Sequence, residues 1–433
     1  MKSKKALRLM GGVALLCLPE IALTQDNKND WNLAVSYEAM LDNNATRAGE
    51  DGVEPKVSEQ QNTLGFQVRG DSSTRISALQ LDYQINREEF TKESQPDGTT
   101  IIGGATLSLG TQTSFYGLTL EQESSRVLKD PSDELTTANS EQRNTVTIKP
   151  MLRTRSDKRN VYSINGFNSD TVYDSERRSD VTQSGIDVNW LRKTPSIYRY
   201  GLTLGQRDVS FQEESASDYS LTRIEAALNA QSRLLGYRLV VGSQRIEPAI
   251  SPAYTKPFYS IDTTYEVTGN TIVASSSSEV SNTSLAEGVS DDSTGISIGG
   301  DSDSLDQFEV KVYSVRYANE TLCRFCTVSV AIVQQEVSYV HLLDNDYDLV
   351  KYDAFFDYRL SKKTDLRLTY SEQETRYNDE ARNTGNNFWA FSYNRDLLRD
   401  MNVQVQLRNY TSDSLTQPFS NDEISIRISK IFN

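Results

Sequence analysis

Apolar and polar side chains alternate along this chain in run after run, each about ten residues long and separated by turn-forming residues. Trp31, Leu33, Val35, Tyr37 and Ala39 alternate with Asn32, Ala34, Ser36 and Glu38. Leu64, Phe66 and Val68 alternate with Thr63, Gly65, Gln67 and Arg69, and Leu79, Leu81, Tyr83 and Ile85 with Gln80, Asp82, Gln84 and Asn86. The pattern returns at Tyr198, Tyr200, Leu202 and Leu204, at Tyr352, Ala354, Phe356 and Tyr358, at Trp389, Phe391 and Tyr393, and at Val403, Val405 and Leu407. It ends with Ile424, Ile426, Ile428 and Phe432, set against Glu423, Ser425, Arg427 and Ser429. Successive side chains on a strand point to opposite faces, so each run has one apolar and one polar face. Helical spacing fits almost none of these windows.

The connections alternate in length. Gly70-Asp71-Ser72-Ser73, Arg192-Lys193-Thr194-Pro195, Ser232-Arg233-Leu234-Leu235-Gly236 and Ser361-Lys362-Lys363-Thr364 are short, while 42–58, 125–140, 282–304 and 377–385 are long and polar. Strands joined this way, with no linker or composition shift between them, predict an all-β fold. The expected form is a closed antiparallel transmembrane β-barrel of about 18–20 strands, with short periplasmic turns and longer extracellular loops. In a bilayer an open sheet edge has nothing to pair with, so the last strand must close on the first. The segments 268–282 and 340–350 carry the pattern only faintly.

The N-terminal residues 1–24 have Lys2, Lys4, Lys5 and Arg8 before an apolar run from Leu7 to Leu18, then Pro19 and Ala22-Leu23-Thr24. That is the layout of a secretory signal peptide, which leaves residues 25–433 as a single barrel domain. Cys17 follows Leu16, where lipoprotein processing requires a small residue, so the leader reads as a plain secretory one. Removing the leader takes the formal net charge from −15 to −18. Such a balance argues against nucleic acid and anionic membrane surfaces as partners. The expected surroundings are outer-membrane lipid, and 22 tyrosines against three tryptophans suit aromatic girdles at its two faces.

If the apolar set faces lipid, the alternate set faces the lumen. It includes Arg69, Arg153, Arg199, Arg207, Arg223, Arg238, Arg359, Arg367, Arg408 and Arg427, together with Glu38, Asp82, Glu121, Asp187, Glu225, Asp353, Asp357 and Glu423. These charges either guide an anionic solute or pair across strands to stiffen the interior. The same positions show no apolar stripe, which argues against a transporter of hydrophobic compounds.

Catalytic chemistry is scarce. His341 is the single histidine, and there is no phosphate-binding loop or His-Glu-x-x-His. Neither an enzyme nor a cofactor is expected. Cys323-Arg-Phe-Cys326 would be redox-active or zinc-binding in a reducing compartment; in an oxidising periplasm a disulfide clipping a turn is the expectation. Asp344, Asp346 and Asp348 begin like a calcium loop but lack glycine at the sixth place, so an ordinary acidic loop is expected over a metal site. The stretch 282–304 is either a surface loop or a segment folded inward to narrow the pore, and the first is the expectation.

Three stretches resemble the outer-membrane β-barrel proteins found with exopolysaccharide and PEP-CTERM protein-sorting gene clusters. They are SDVTQSGIDVNWLRKTPSIYRYGLTLGQRDVSF at 179–211, TGNNFWAFSYNRDLLRDMNVQVQLRNYTSD at 384–413, and the closing ISIRISKIF; the Asp42-Asn43-Asn44 exit of the first strand looks alike. The resemblance implies a barrel of about 18 strands acting as a conduit or assembly component in exopolysaccharide export. It further implies exopolysaccharide as cargo and a periplasmic polysaccharide-export protein as neighbour. Ile424, Ile426, Ile428 and Phe432 resemble the C-terminal signal read by the barrel-insertion machinery, although Asn433 follows the aromatic residue. The alternative is a general or substrate-selective diffusion porin in the outer membrane of a Gram-negative bacterium.

Overall fold

The computed structural model describes residues 28–48, 56–110, 114–128, 140–155, 159–174, 179–194, 197–212, 218–282, 290–291, 296–297, 307–340, 345–379, 382–397, 400–414 and 418–432. The expected leader, 1–24, lies outside them. The strands are β1 (Lys28–Asp42), β2 (Glu59–Ser73), β3 (Ser77–Phe90), β4 (Gly98–Leu109), β5 (Tyr116–Leu128), β6 (Ser140–Arg155), β7 (Asn160–Tyr173), β8 (Val181–Lys193), β9 (Tyr198–Phe211), β10 (Tyr219–Gln231) and β11 (Leu235–Pro248). They continue as β12 (Tyr254–Val267), β13 (Asn270–Asn282), β14 (Ser290–Asp291), β15 (Ile296–Ser297), β16 (Gln307–Asn319), β17 (Cys326–Tyr339), β18 (Tyr347–Ser361), β19 (Thr364–Tyr377), β20 (Thr384–Asp396), β21 (Met401–Ser412) and β22 (Phe419–Phe432).

All but the short β14 and β15 form the wall, each paired antiparallel with its neighbour, and β13 pairs directly with β16. The cylinder closes where Leu33 to Asp42 of β1 pair with Phe432 to Glu423 of β22. This is a closed 20-strand barrel. Its short turns and the outer ends of the closing strands lie at opposite rims. The first turn falls at Thr74-Arg75-Ile76 rather than at 70–73, because the β1–β2 ladder runs on to Lys28↔Ser73. At the outer rim the seam is fastened by Arg47, 2.7 Å from Asp42 and 3.4 Å from Glu423, and by the Asn43 side chain, which donates to the Asp422 carboxylate and accepts from the Asp422 main-chain N–H.

The apolar set of the alternation points outward. Val35, Leu64, Phe66, Ile186, Leu202, Ile224, Ile332, Leu368 and Ile426 are all exposed, a distribution that water would penalise and lipid does not. No helix is long and apolar enough to cross a membrane; strands make the crossing. Tyr37, Tyr259, Tyr313, Tyr352 and Tyr370 mark the outer edge of this band. Lys430 shares the lipid face near the other edge, with its ammonium 4.9 Å from the centre of the Phe432 ring.

Beyond the tyrosines the phase of the alternation inverts. On β19, Leu368 and Tyr370 face outward, and the next outward positions are Glu372, Glu374 and Arg376; inward, Arg367, Thr369 and Ser371 give way to Tyr377. The wall has left the bilayer, so its outside meets water and its inside is free to be apolar. Phe308, Val310, Val337, Tyr339, Tyr347, Leu349 and Tyr377 form one buried inward cluster, and Val181, Val209, Phe211, Tyr219, Leu221 and Ile246 another. The inward face therefore does carry apolar stripes, in its outer third, contrary to the expectation. They are 0–9% exposed, which makes them packing surface and not a route for apolar solutes.

The same rim repeats a device. The main-chain N–H of the last aromatic residue of an outgoing strand donates to an aspartate seven positions on: Phe90 to Asp97, Tyr173 to Asp180, Phe211 to Asp218 and Tyr339 to Asp346, at 2.6–3.0 Å. Asn383 serves Tyr377 likewise. Glu59, at the outer tip of β2 and clear of the apolar band, ties down the loop after β3. Burial alone would raise its pKa, but the Thr91 hydroxyl and the Lys92 and Ser94 amides donate to it and hold it at about 2. A carboxyl depressed in the fold stabilises above its ordinary range, and loses that contribution as pH falls toward 2. Glu59→Gln is expected to release the loop at neutral pH, read as faster tryptic cleavage after Lys92 with the barrel intact.

One notch interrupts the wall. Gly103 has φ +127°, and β4 pairs with β5 only as far as Gly103↔Ser124. Above it, Gln142 of β6 reaches across to the Ile101 main chain, donating to its carbonyl (2.6 Å) and accepting from its N–H (3.0 Å). The vacated edge of β5 is taken by β15, paired parallel as Ile296↔Arg126 and Ser297↔Val127. These strands belong to the connection 283–306, which leaves the wall between β13 and β16. At its described residues that connection pairs with β5; the rest of 282–304 lies outside the described residues.

The barrel's inner wall as candidate functional site

The register sorts the expected lumen residues. Arg69, Arg153, Arg199, Arg207, Arg223, Arg238, Arg359, Arg367, Arg408 and Arg427 all fall on the inward face, as do Glu38, Asp82, Glu121, Asp187, Glu225, Asp353, Asp357 and Glu423. They separate into two kinds of environment.

The first kind is closed. Arg69 donates through Nε and Nη2 to Asp82 on the facing strand, at 2.8 and 2.6 Å. Arg367 holds both oxygens of Asp357, at 2.6 and 3.1 Å, and Arg408 reaches Glu423 at 3.4 Å. Arg359 lies 3.5 Å from Asp365, Lys351 3.5 Å from Asp353, and Lys149 bonds Glu121. Arg427 donates to Ser36 beside Glu38, and Arg153 to the Met151 sulfur. Apart from Lys351–Asp353 and Arg153–Met151, which lie within one strand, these are cross-strand pairs that stiffen a polar wall.

The second kind is open and confined to β7–β12. Asn165, Asp187, Gly205, Arg223 and Gln244 form one row across five strands. The row on its outer side holds Phe167, Gly185 and Arg207; the row on the other side holds Asn189, Thr203, Glu225 and Gly242. Arg207 stacks on Phe167, its guanidinium carbon 5.0 Å from the ring centre. Arg223 stands 3.8 Å from Asp187 and 3.6 Å from Glu225, beyond hydrogen-bond reach of both. Glycine is needed beneath: a Cβ on Gly205 would lie 2.2 Å from Asp187 Oδ1, and one on Gly242 2.5 Å from the Phe258 ring. Nearer the short turns, Arg199, Asn229, Arg238 and Asp262 line a recess of about 560 Å³.

Cys323 and Cys326 are joined as a disulfide in the short turn between β16 and β17. The aspartates of the acidic loop do not converge. Asp346 caps Tyr339, Asp348 is exposed on the outer face of β18, and Asp344, like His341, lies outside the described residues. Among the described residues no group of three His, Cys, Asp or Glu side chains is placed to hold a metal.

No family model and no curated protein matches the chain. Solved structures do. OccAB3 of Acinetobacter baumannii aligns with TM-score 0.43 and 10% identity over 94% of this chain and 99% of that one. OccK1 (OpdK) of Pseudomonas aeruginosa aligns with 0.42 and 8% over 93% and 99%, and OpdQ of the same organism with 0.43 and 10% over 94% and 99%. The barrel itself is established by its own strand pairing.

The expected role as an exopolysaccharide conduit or assembly component is corrected here. The similar barrels are Occ/Opd porins, and nothing among them concerns exopolysaccharide or protein-sorting clusters. The wall gives the physical reason. An arginine track for an anionic polymer needs free guanidiniums along its length, and Arg69, Arg367 and Arg408 are spent on carboxylates.

Proposed function

We propose that the protein is a passive diffusion porin, passing small polar solutes unaltered across the outer membrane and catalysing nothing. The observation that carries this reading is the two-sided wall: apolar outward through the bilayer band and polar inward at the same level, around 20 strands. A barrel of 16–18 strands already encloses an aqueous channel, so one of 20 has room for solutes among its inward side chains. The inward side supplies charges of both signs, which admits water and polar molecules without a strong bias for ions of one charge.

The reading is tested by inserting the folded, heat-modifiable barrel into planar lipid bilayers. Stepwise ion conductance is expected at neutral pH, with weak cation–anion preference in a salt gradient. A folded barrel that inserts without conductance steps would overturn the reading. We further propose, as a separate matter, that Phe432 and the isoleucines before it serve recognition by the insertion machinery; deletion of Phe432 should lower the amount of folded barrel in cells without altering the conductance of barrel refolded in vitro.

A further inference from the structure

The open patch on β7–β11 differs in kind from the rest of the lumen. Thirteen buried side-chain polar atoms of the described residues lack a hydrogen-bond partner, and six of them fall here: Asn165 Oδ1, Asp187 Oδ1, Asn189 Nδ2, Arg207 Nε, Arg223 Nε and Gln244 Oε1. Elsewhere Arg69, Arg359, Arg367 and Arg408 have closed on carboxylates. An orphaned buried polar atom costs about 1–3 kcal/mol, so six on one wall are a concentrated expense that folding alone does not explain.

The chemistry of the set narrows what would satisfy it. Arg207 and Arg223 balance Asp187 and Glu225 in formal charge, so a ligand with net charge would upset the balance. Three of the orphans donate and three accept, on neighbouring strands about 4.8 Å apart. A carboxylate can answer only the donors and an ammonium only the acceptors. A hydroxyl does both, and adjacent hydroxyls on one molecule do so at successive positions. The three glycines let Phe167, Asp187 and Phe258 lie over the main chain, which keeps the wall low there. Arg207, Arg223, Asn165 and Asn189 are partly exposed and need only rotate to bring their polar atoms to a passing molecule, with Gln244 buried behind them.

We infer that this patch is a binding site for a small neutral polyhydroxyl compound, a sugar or polyol, entered from the lumen during passage. Arg207, held flat on Phe167 and free of any carboxylate, and Arg223, between two carboxylates at 3.6–3.8 Å, are its principal donors. Asp187, Asn165 and Gln244 are its acceptors. The inference rests on the diffusion reading, since the site is reached through the lumen.

Single-channel recording separates the two. With potassium chloride carrying the current, millimolar sucrose or sorbitol is expected to interrupt the open level, and acetate or glycine betaine to do so at least tenfold less. Arg207→Gln with Arg223→Gln should weaken the interruption by sucrose about tenfold with potassium conductance retained. Arg207→Gln alone, which leaves no carboxylate unpaired, guards against misfolding of the double variant and should give a smaller loss of the same sign. Arg367→Gln, in a closed pair, should leave the interruption unchanged. Equal interruption in the wild type and both patch variants, or stronger interruption by acetate or betaine than by sucrose, overturns the inference while the porin reading stands. Absence of any conductance from the folded wild type overturns both.

Discussion

Val330→Arg lowers the stability of the barrel in lipid by about 2–4 kcal/mol, the cost of a cation near the middle of the lipid face. Val330 is 45% exposed on β17, with Val328 and Ile332 on the same face and Ala331 turned inward. Its pairing partner on β18 is Ala354, whose side chain offers no carboxylate to receive the guanidinium. Ser338→Arg is the companion measurement. Ser338 occupies the same strand and the same outward face, but beyond the level at which Gln334 and Glu336 replace the apolar residues. There the change should cost under about 0.5 kcal/mol, as at an ordinary exposed position. Urea unfolding in vesicles, followed by tryptophan fluorescence and by the loss of heat-modifiable mobility, gives both values. Equal costs at the two positions would mean that the apolar band is not where the bilayer lies.

Alternation along the chain was sufficient for the barrel, because the two requirements on a strand in lipid, an apolar outside and internally paired main chain, both act at period two. It was insufficient where those requirements lapse. β13 reads Ala274-Ser275-Ser276-Ser277-Ser278, with small residues on both faces, and is fixed in place by its ladders with β12 and β16 and by serine hydroxyl bonds to Ser314 and Glu309. At the outer rim the phase inverts while the period persists, so Tyr347 and Leu349 look like a lipid-facing pair until Tyr352 and Phe356, of the opposite parity, establish the face. The arginines lie on the strand face opposite the apolar set. Which of them are closed depends on cross-strand register, and a sequence read strand by strand does not show that Arg69 stands opposite Asp82 while Arg207 stands opposite Gly185. One signal was present and unused: an aromatic residue followed seven positions later by aspartate, at 90–97, 173–180, 211–218 and 339–346, marks four of the outer loops.

Gly103→Val tests the other feature that alternation could not reveal. With φ at +127°, Gly103 holds a main-chain conformation that a β-branched residue adopts only under strain, and a Cβ built there lies 1.9 Å from the Asp82 carbonyl oxygen. Neither the strain nor the clash is relieved by a rotamer change, because the obstacle is main chain on β3. The expected cost is on the order of 3 kcal/mol. Its distribution matters more than its size. Below Gly103 the β4–β5 ladder continues from Ser124 to Leu118 and can keep the barrel closed. Above it, the Gln142 bridge to Ile101 and the pairing of β15 with Arg126 and Val127 all depend on β4 leaving the ladder at this residue. A valine that shifts the β4 main chain here would pull Ile101 away from Gln142 and unseat β15. Hydrogen exchange should therefore speed up at the Ile101 amide, which Gln142 now protects, while amides in the lower half of β5 stay protected. Single-channel conductance should rise if displacement of β15 widens the outer lumen. Uniform loss of protection along β4 and β5 would show instead that the glycine supports the whole wall, and that the notch is not a separable feature of the outer third.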